Sequence, residues 1–170
     1  MADFPYVITR FLKHKQLKKP LLNAIKQQDF SGIHDSLRKE FIYKTDWYTD
    51  SKVTREYLKI LYDPITNHMY EVFNTLKHEN PVYQSFWFTQ YKKNNTFGRH
   101  QHRQTSWVSI YYLDMSNNTP VTHFENVFDN DIFVPNIAEG DIITFPGFVW
   151  HYSPENLSNK SKTVISFNVE

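Results

Sequence analysis

The hydrophobic pattern of this chain changes its period at Asn80-Pro81, and that change limits the folds the chain can adopt. From there on, short runs rich in β-branched and aromatic residues alternate with groups of turn-forming residues. The runs are residues 82–92, 105–113, 120–125, 132–134, 141–145 and 162–169. Several short strands that follow helices favour a sandwich or jelly roll with the helices packed outside it.

The residues before the change have mostly helical spacing. In residues 54–78 apolar side chains recur every three or four positions, which predicts an amphipathic helix that lies on a sheet. Asp63-Pro64 interrupts this pattern and either starts a second helix, with Asp as N-cap, or kinks a single one. A shorter helix is predicted over residues 17–28, with Pro20 in its first turn.

Two N-terminal segments have the composition of strands. Residues 4–12 mix β-branched and aromatic residues and predict a first strand, whereas residues 43–48 lie among turn formers and predict a loop or an edge strand. The predicted fold class is therefore mainly β with α, a jelly roll whose N-terminal helical layer packs on one sheet. The length of 170 residues favours a single domain, 1–170, with residues 1–80 as the outer layer and 81–170 as the β core.

The last predicted strand has two chemically different faces. Side chains alternate across a strand, so Lys162, Val164, Ser166 and Asn168 share one face while Thr163, Ile165 and Phe167 share the other. The second face is apolar enough to lie under the helices. The first face either lines a cavity that receives a polar ligand or is solvated, and the pattern alone favours neither.

Composition excludes several classes of function. A formal net charge of +1 gives no strong field for nucleic acid or an anionic membrane, and the lysines near the start are interpreted as a solvated helix face. The chain has no cysteine, which excludes disulfides, thiolate metal sites and a cysteine nucleophile. No apolar run reaches the ~18 residues of a membrane span, and no signal peptide is recognisable. We expect a cytosolic protein, equally one of a virus that replicates in the cytosol.

Three histidines suggest a metal site. His100 and His102 are two residues apart, so in an extended segment their side chains point to the same side, and His151 ends a later strand-and-turn segment. Three imidazoles that converge can hold a metal with positions left open for substrate. Glu125 or Asp141 can replace one imidazole, and His123 is a fourth histidine in a β segment. The other interpretation is that these histidines lie at strand ends and bind no metal.

Residues 87–168 resemble the double-stranded β-helix of the iron(II)- and 2-oxoglutarate-dependent oxygenases, and in particular the small oxygenases of bacteria and marine bacteriophages. The resemblance covers about half of the chain. The matching motifs are an aromatic strand (87–91), the His-x-His pair (100–102), a strand ending in Tyr-Tyr-Leu (110–113), a Glu-Gly-Asp…Phe-Pro segment (139–146), His-Tyr-Ser-Pro (151–154) and a closing Ile-Ser-Phe-Asn strand (165–168).

The resemblance implies a role for five residues. His151 takes the place of the distal iron ligand and His100 that of the proximal one, whereas His102 stands where most of the superfamily has Asp or Glu. Lys162 and Ser166 stand where an Arg and a nearby Ser usually hold the far carboxylate of 2-oxoglutarate. Both departures weaken the cosubstrate assignment, because a three-histidine set is one charge more positive and Lys lacks the bidentate fork of Arg.

The function implied is that of an iron(II)- and 2-oxoglutarate-dependent oxygenase that hydroxylates a substrate the resemblance does not specify. Its partners are then a small-molecule cosubstrate and that substrate, without nucleic acid or membrane, and the oligomeric state is left open. The alternative is a cupin-like metal-binding module, either a dioxygenase that does not use 2-oxoglutarate or a non-catalytic binding protein. Three imidazoles also suit zinc, nickel and copper. The aromatic residues Trp87, Trp107, Tyr112 and Trp150 either line the cavity or pack in the core.

Overall fold

The computed structural model describes residues 1–50 and 52–170. These residues form two helices and twelve strands, and the strands are arranged in antiparallel sheets. The N-terminal elements are β1 (Val7–Arg10), α1 (His14–Gln27), β2 (Ile33–Asp35), β3 (Glu40–Ile42), β4 (Lys44–Thr45) and α2 (Glu56–Thr75). They are followed by β5 (Tyr83–Tyr91), β6 (Phe97–His100), β7 (Trp107–Asp114), β8 (His123–Glu125), β9 (Ile132–Phe133), β10 (Asp141–Pro146), β11 (His151–Ser153) and β12 (Lys162–Val169).

Two sheets face each other across an apolar layer. The major sheet has the strand order β1-β10-β7-β12-β5-β4, the minor sheet has the order β6-β11-β8-β9, and β2 and β3 form a separate hairpin. The layer between the sheets contains side chains of both, for example Val108 and Ile110 from the major sheet and Phe124 from the minor sheet. This is the predicted jelly roll.

The helices cover the outer face of the major sheet. Leu61, Ile65 and Met69 of α2 are fully buried and belong to the same apolar cluster as Ile165 and Phe167 of β12. The other face of β12 turns inward, where Val164 joins the layer between the sheets. The two faces of the last strand are therefore divided as its alternation predicts.

The N-terminal half differs from its prediction in detail. Helix α2 runs unbroken through Pro64, because burial of its apolar face outweighs the backbone hydrogen bond that proline cannot donate. Helix α1 begins at His14, so Pro20 lies inside the helix and the prediction that placed it in the first turn is wrong. Of the two segments with strand composition, residues 4–12 contain β1, and residues 43–48, for which a loop or an edge strand is predicted, contain the edge strand β4; both strands join the major sheet. Residues 1–80 therefore extend this sheet as well as cover it.

The β2–β3 hairpin was not predicted. Its strands have three residues each, and its turn is built locally, since the Asp35 carboxylate accepts hydrogen bonds from the backbone N–H groups of Leu37 and Arg38. Lys39 completes the turn with a positive φ of 56°. Strands of three residues are too short for hydrophobic alternation to be recognised. Neither helix described here is long and apolar enough to cross a membrane.

Candidate metal centre

The structure brings His100, His102 and His151 together. His100 is the last residue of β6 and lies directly opposite His151, the first residue of β11, in the antiparallel ladder. Residues so paired have neighbouring side chains on one face. His102 follows in the next loop, where its backbone N–H donates to the Gly147 carbonyl oxygen at 2.7 Å. One potential ligand atom from each of the three rings lies within 4.8 Å of the other two.

Hydrogen bonds to the backbone select the tautomer of two of these rings. The Nδ1–H of His100 donates to the Gly98 carbonyl oxygen at 2.8 Å, and that of His151 donates to the Val149 carbonyl oxygen at 2.9 Å. Because a carbonyl oxygen can only accept, Nδ1 carries the proton in each ring and Nε2 keeps a free lone pair. Metal-ligating histidines commonly have such a partner behind them.

Burial keeps the three imidazoles neutral. Removal from water lowers the pKa of His151 well below its usual value, and the proximity of His100 and His102 lowers it further. Burial and the neighbouring His100 lower the pKa of His102 to about 4, and burial also lowers the pKa of His100. At neutral pH all three rings are therefore available as donors to a metal. This donor set fits a divalent transition metal with open coordination positions.

Aromatic packing holds the ring of His102, the one ligand candidate outside a strand. On one side it stacks on Trp87, with the ring centroids 5.7 Å apart and an interplanar angle of 17°. It is also nearly parallel to the ring of His151, with centroids 5.3 Å apart and an angle of 12°. Trp47 approaches edge-on at 6.3 Å. These contacts limit the rotamers of a side chain whose backbone lies in a loop.

His100 and His102 lie where two cavities meet. An open cleft extends from these histidines toward solvent, and both residues line it. A narrower inner cavity, lined by all three histidines, extends between the sheets to Tyr91, Lys162 and Ser166. A metal bound here would be accessible from both sides.

Lys162 places a buried ammonium group at the inner cavity. Its side chain is 1% exposed, and its Nζ donates to the Pro120 carbonyl oxygen and to the Ser153 hydroxyl, each at 2.8 Å, and lies 4.4 Å from the centre of the Tyr91 ring. Among the described residues no carboxylate lies within ion-pairing distance of it. Burial accordingly lowers the pKa of Lys162 to about 7. A buried cation without a counter-ion favours an anionic ligand in this cavity.

The alternative ligands are engaged elsewhere. Glu125 accepts a hydrogen bond from the guanidinium of Arg99 at 2.6 Å, and Asp141 is paired with Arg10 at 2.9 Å. His123 faces the hydroxyl of Tyr152 at 3.3 Å. None of them belongs to the three-histidine group within the described part of the chain.

The four aromatic residues divide between cavity and core. Trp87 and Trp150 line the open cleft, whereas Trp107 packs against the helix-side core and Tyr112 is fully buried with its hydroxyl bonded to Thr122. The N-terminal half also contributes to the cleft through Arg38, Trp47 and Tyr48, which the sequence did not place there. For Trp47 and Tyr48 the one signal is the strand-like composition of residues 43–48, which does not indicate the direction of the side chains; Arg38 lies outside that segment.

No protein-family model matches this sequence, and no curated protein matches it. Solved structures match it by fold. An oxidoreductase of the 2OG-Fe(II) oxygenase family from Burkholderia pseudomallei has a TM-score of 0.76 at 10% identity, covering 97% of this chain and 85% of that chain. A Pseudomonas putida prolyl-4-hydroxylase has a TM-score of 0.67 at 12% identity, covering 98% and 93%.

A third similar structure is that of a viral collagen prolyl hydroxylase from Paramecium bursaria Chlorella virus-1, solved as a complex with 2OG (2-oxoglutarate). Its TM-score is 0.65 at 14% identity, covering 96% of this chain and 94% of that chain. The chain thus has the jelly-roll fold of 2OG-Fe(II) oxygenase structures over nearly its whole length, which confirms the predicted fold class.

Proposed function

We propose that this protein is an iron(II)- and 2-oxoglutarate-dependent oxygenase that hydroxylates a substrate bound in the open cleft. One observation carries the proposal: three neutral imidazoles converge between an open cleft and an inner cavity lined by a buried ammonium group that has no carboxylate partner among the described residues. The shared fold with 2OG-Fe(II) oxygenase structures, one of them with 2OG bound, supports it.

The metal ligands in this proposal are His100, His102 and His151. Two of the rings donate Nδ1–H to backbone carbonyls behind them, which leaves Nε2 of each free to bind the metal. Iron(II) at this position would supply the redox chemistry with oxygen that amino-acid side chains lack. The protein's contribution is to fix the three donors, leave positions open and keep the imidazoles unprotonated.

The cosubstrate residues are Lys162 and Ser166. Both line the inner cavity, and both are more than nine-tenths buried. The ammonium of Lys162 would bind the far carboxylate of 2-oxoglutarate, and the hydroxyl of Ser166 would donate a second hydrogen bond. A carboxylate here would neutralise a cation that the protein otherwise buries without a counter-ion, which favours its binding.

The two cavities separate the two organic ligands. We place 2-oxoglutarate at the inner cavity, because Lys162 lies there, and the substrate in the cleft, which is open to solvent. Trp87 and His102 lie at the boundary and line both spaces. Their stacked rings would form part of the wall between the two bound ligands.

The test uses purified protein freed of metal and then loaded with iron(II) under anaerobic conditions. We expect 2-oxoglutarate to bind only after metal is added, with a metal-dependent charge-transfer absorbance, and we expect succinate once oxygen is admitted. A protein with a bound metal but without 2-oxoglutarate affinity, absorbance change or succinate would contradict the proposal. His151→Ala is the matched variant and should lose all three signals together.

The alternative is a cupin-like metal-binding module, either a dioxygenase that does not use 2-oxoglutarate or a non-catalytic protein. The three-histidine donor set favours it, because no carboxylate lies in the described metal-ligand group. In that case His151→Ala lowers the melting temperature of the metal-loaded protein, while the unsubstituted protein shows no binding of 2-oxoglutarate. The two functions therefore differ in the 2-oxoglutarate titration itself.

A further inference from the structure

The open cleft has an aromatic wall that the metal site does not need. Trp47 and Tyr48 follow β4 and line the cleft, where they remain 39% and 66% exposed. The Trp47 ring lies 4.2 Å from that of Trp87 and 6.3 Å from that of His102, so this wall is next to the proposed metal. Exposed indole and phenol rings at a concave site favour a ligand that covers them.

A buried polar cluster holds this wall in place. The carboxylate of Asp46, which is fully buried, accepts from the backbone N–H of Phe88 at 2.8 Å and from the hydroxyl of Tyr57 at 2.6 Å. The guanidinium of Arg55 is within 3.2 Å of the same carboxylate and donates to the backbone carbonyls of residues 46, 49 and 86. The segment that bears Trp47 and Tyr48 is therefore tied to α2 and β5 at both ends, which makes it a fixed wall.

The charged groups of the cleft favour an anion. Three arginines and one carboxyl group, that of Glu40, line the cleft. Burial raises the pKa of the Glu40 carboxyl, which disfavours its negative charge. Arg99 is already paired with Glu125 at 2.6 Å, and Arg38 lies 3.8 Å from Asp35.

Arg103 is the remaining cation, with no carboxylate within 4 Å of it among the described residues. With the Gln101 amide turned to satisfy its hydrogen bonds, its oxygen accepts from Arg103 at 2.9 Å and its nitrogen donates to the Phe148 carbonyl at 2.8 Å. This arginine follows His102 directly in the sequence, so its guanidinium belongs to the same loop as a proposed metal ligand. An anionic group of a substrate is its natural partner.

From these contacts we infer that the cleft selects a small substrate with a flat ring and an anionic group, the ring against Trp47 and the anion on Arg103. The inference rests on the proposed function and names the substrate class of that site. An aromatic acid and a mononucleotide both have this chemistry.

An extended peptide fits the cleft less well. Peptides often bind by adding a strand to a free sheet edge, and β6 is the edge of the minor sheet nearest the histidines. That edge is partly occupied, because Phe41 and Thr96 exchange backbone hydrogen bonds of 2.9 Å in both directions. The β2–β3 hairpin therefore covers part of the backbone that a peptide would use.

The test measures binding to protein loaded with Mn(II) and saturated with 2-oxoglutarate, so that the metal and the inner cavity are already occupied. Three probes separate the two features. Benzoate has both the flat ring and the charge. Cyclohexanecarboxylate has the charge without the flat ring, and benzyl alcohol has the ring without the charge. Uridine monophosphate forms a separate arm that distinguishes a nucleotide from an aromatic acid. Calorimetry or ligand-observed NMR gives the affinities.

We expect benzoate or uridine monophosphate to bind at least tenfold more tightly than either single-feature probe. Trp47→Leu should remove the preference for the flat ring, and Arg103→Gln should weaken the anionic probes without affecting benzyl alcohol. Tyr70→Leu, which removes an exposed aromatic side chain on α2, is the matched control and should change nothing.

Two results would overturn the inference and are distinguishable from each other. If the protein binds 2-oxoglutarate but treats flat and non-flat anions alike, the substrate class is wrong and the proposed function stands. If 2-oxoglutarate itself does not bind, the proposed function fails and the inference fails with it. Retained binding of 2-oxoglutarate by Trp47→Leu and Arg103→Gln shows that these variants are folded.

Discussion

At the scale of single residues, the charge state of Lys162 links stability to ligand binding. Its ammonium is buried without a carboxylate, and its pKa of about 7 reflects that burial. A group whose charged form is disfavoured in the folded protein reduces stability where the unfolded chain is protonated. The buried ammonium of Lys162 is compensated only when a ligand supplies the opposite charge. Such a loss of stability in exchange for ligand binding is common at binding sites.

Replacement of this lysine should separate the two effects. We expect Lys162→Met to raise the melting temperature, because the uncompensated cation is gone. We expect the same variant to weaken 2-oxoglutarate binding by roughly 10- to 150-fold, equal to the ~1.5–3 kcal/mol of a charge-assisted hydrogen bond. Thermal unfolding and calorimetry measure the two quantities. Lys162→Arg keeps the charge and should retain part of the affinity. Unchanged 2-oxoglutarate affinity in Lys162→Met would remove this residue from the cosubstrate site.

The same lysine predicts how 2-oxoglutarate affinity depends on pH. Below pH 7 its ammonium is already charged in the free protein, so this contribution is complete. Above pH 7 a proton must be taken up on binding, so affinity should fall, by up to tenfold per pH unit, until the higher pKa of the complex is reached. Titrations between pH 7 and 9 avoid protonation of the three histidines, whose pKa values are lowered. A flat profile that matches Lys162→Arg would contradict the assignment.

At the scale of elements, the metal centre depends on how closely the turn before β11 approaches the loop after β6. The Gly147 carbonyl accepts from the His102 N–H at 2.7 Å, and the Gly147 N–H donates to the Ser106 carbonyl at 3.0 Å. A Cβ at position 147 would lie 2.3 Å from the Thr105 carbonyl oxygen and 2.6 Å from that of His102. Contacts this short require the loop to move, so glycine is needed here for steric reasons.

Gly147→Ala should therefore act on the metal through the loop. We expect metal affinity to fall about tenfold, or ~1.4 kcal/mol, because displacement of the loop moves one of three donors, and we expect the melting temperature to fall as well. Gly32→Ala is the matched control, since its added Cβ would lie 2.3 Å from the Ile42 carbonyl oxygen, outside the metal centre. It should lower stability while leaving metal affinity unchanged. Equal metal affinity in both variants would mean that the position of His102 does not matter for binding.

At the scale of the whole molecule, the proposed metal connects distant parts of the chain. The three ligands come from β6, the following loop and β11, so a bound ion would join segments about 50 residues apart in sequence. An ion that binds the folded state alone stabilises it by RT ln(1 + [L]/Kd). Metal binding and global stability should therefore be coupled.

Removal of the metal should make this coupling visible. We expect chelation to lower the free energy of unfolding by about 2.7 kcal/mol when the metal had been present at a hundredfold excess over its Kd. His151→Ala should show no difference between metal-loaded and chelated samples, and Tyr70→Leu should behave as the unsubstituted protein does. Chemical denaturation with and without chelator measures the difference. An increment that persists in His151→Ala would place the stabilising ion elsewhere.

Much of this molecule follows from local patterns. The alternation of β12 predicts which residues lie under the helices and which share the opposite face, because side chains on neighbouring positions must point to opposite faces. That the opposite face lines a cavity is shown only by the structure. The spacing of His100 and His102, the strand-and-turn segment that ends at His151 and the resemblance to a known fold together predict that these three histidines converge, and the tertiary structure brings them together. The six β runs after residue 80 likewise correspond to strands with boundaries shifted by up to a few residues.

Only the tertiary structure decides which distant groups meet. Nothing in the segment around Trp47 indicates that it lies beside His102, since that contact depends on the Asp46 and Arg55 cluster bonding to α2 and β5. The unbroken course of α2 through Pro64 also depends on packing against the sheet. Local sequence determines backbone preference and the alternation of faces, whereas the counter-ion of a charge, the neighbour of a ring and the wall of a cleft are contacts between segments far apart in the chain.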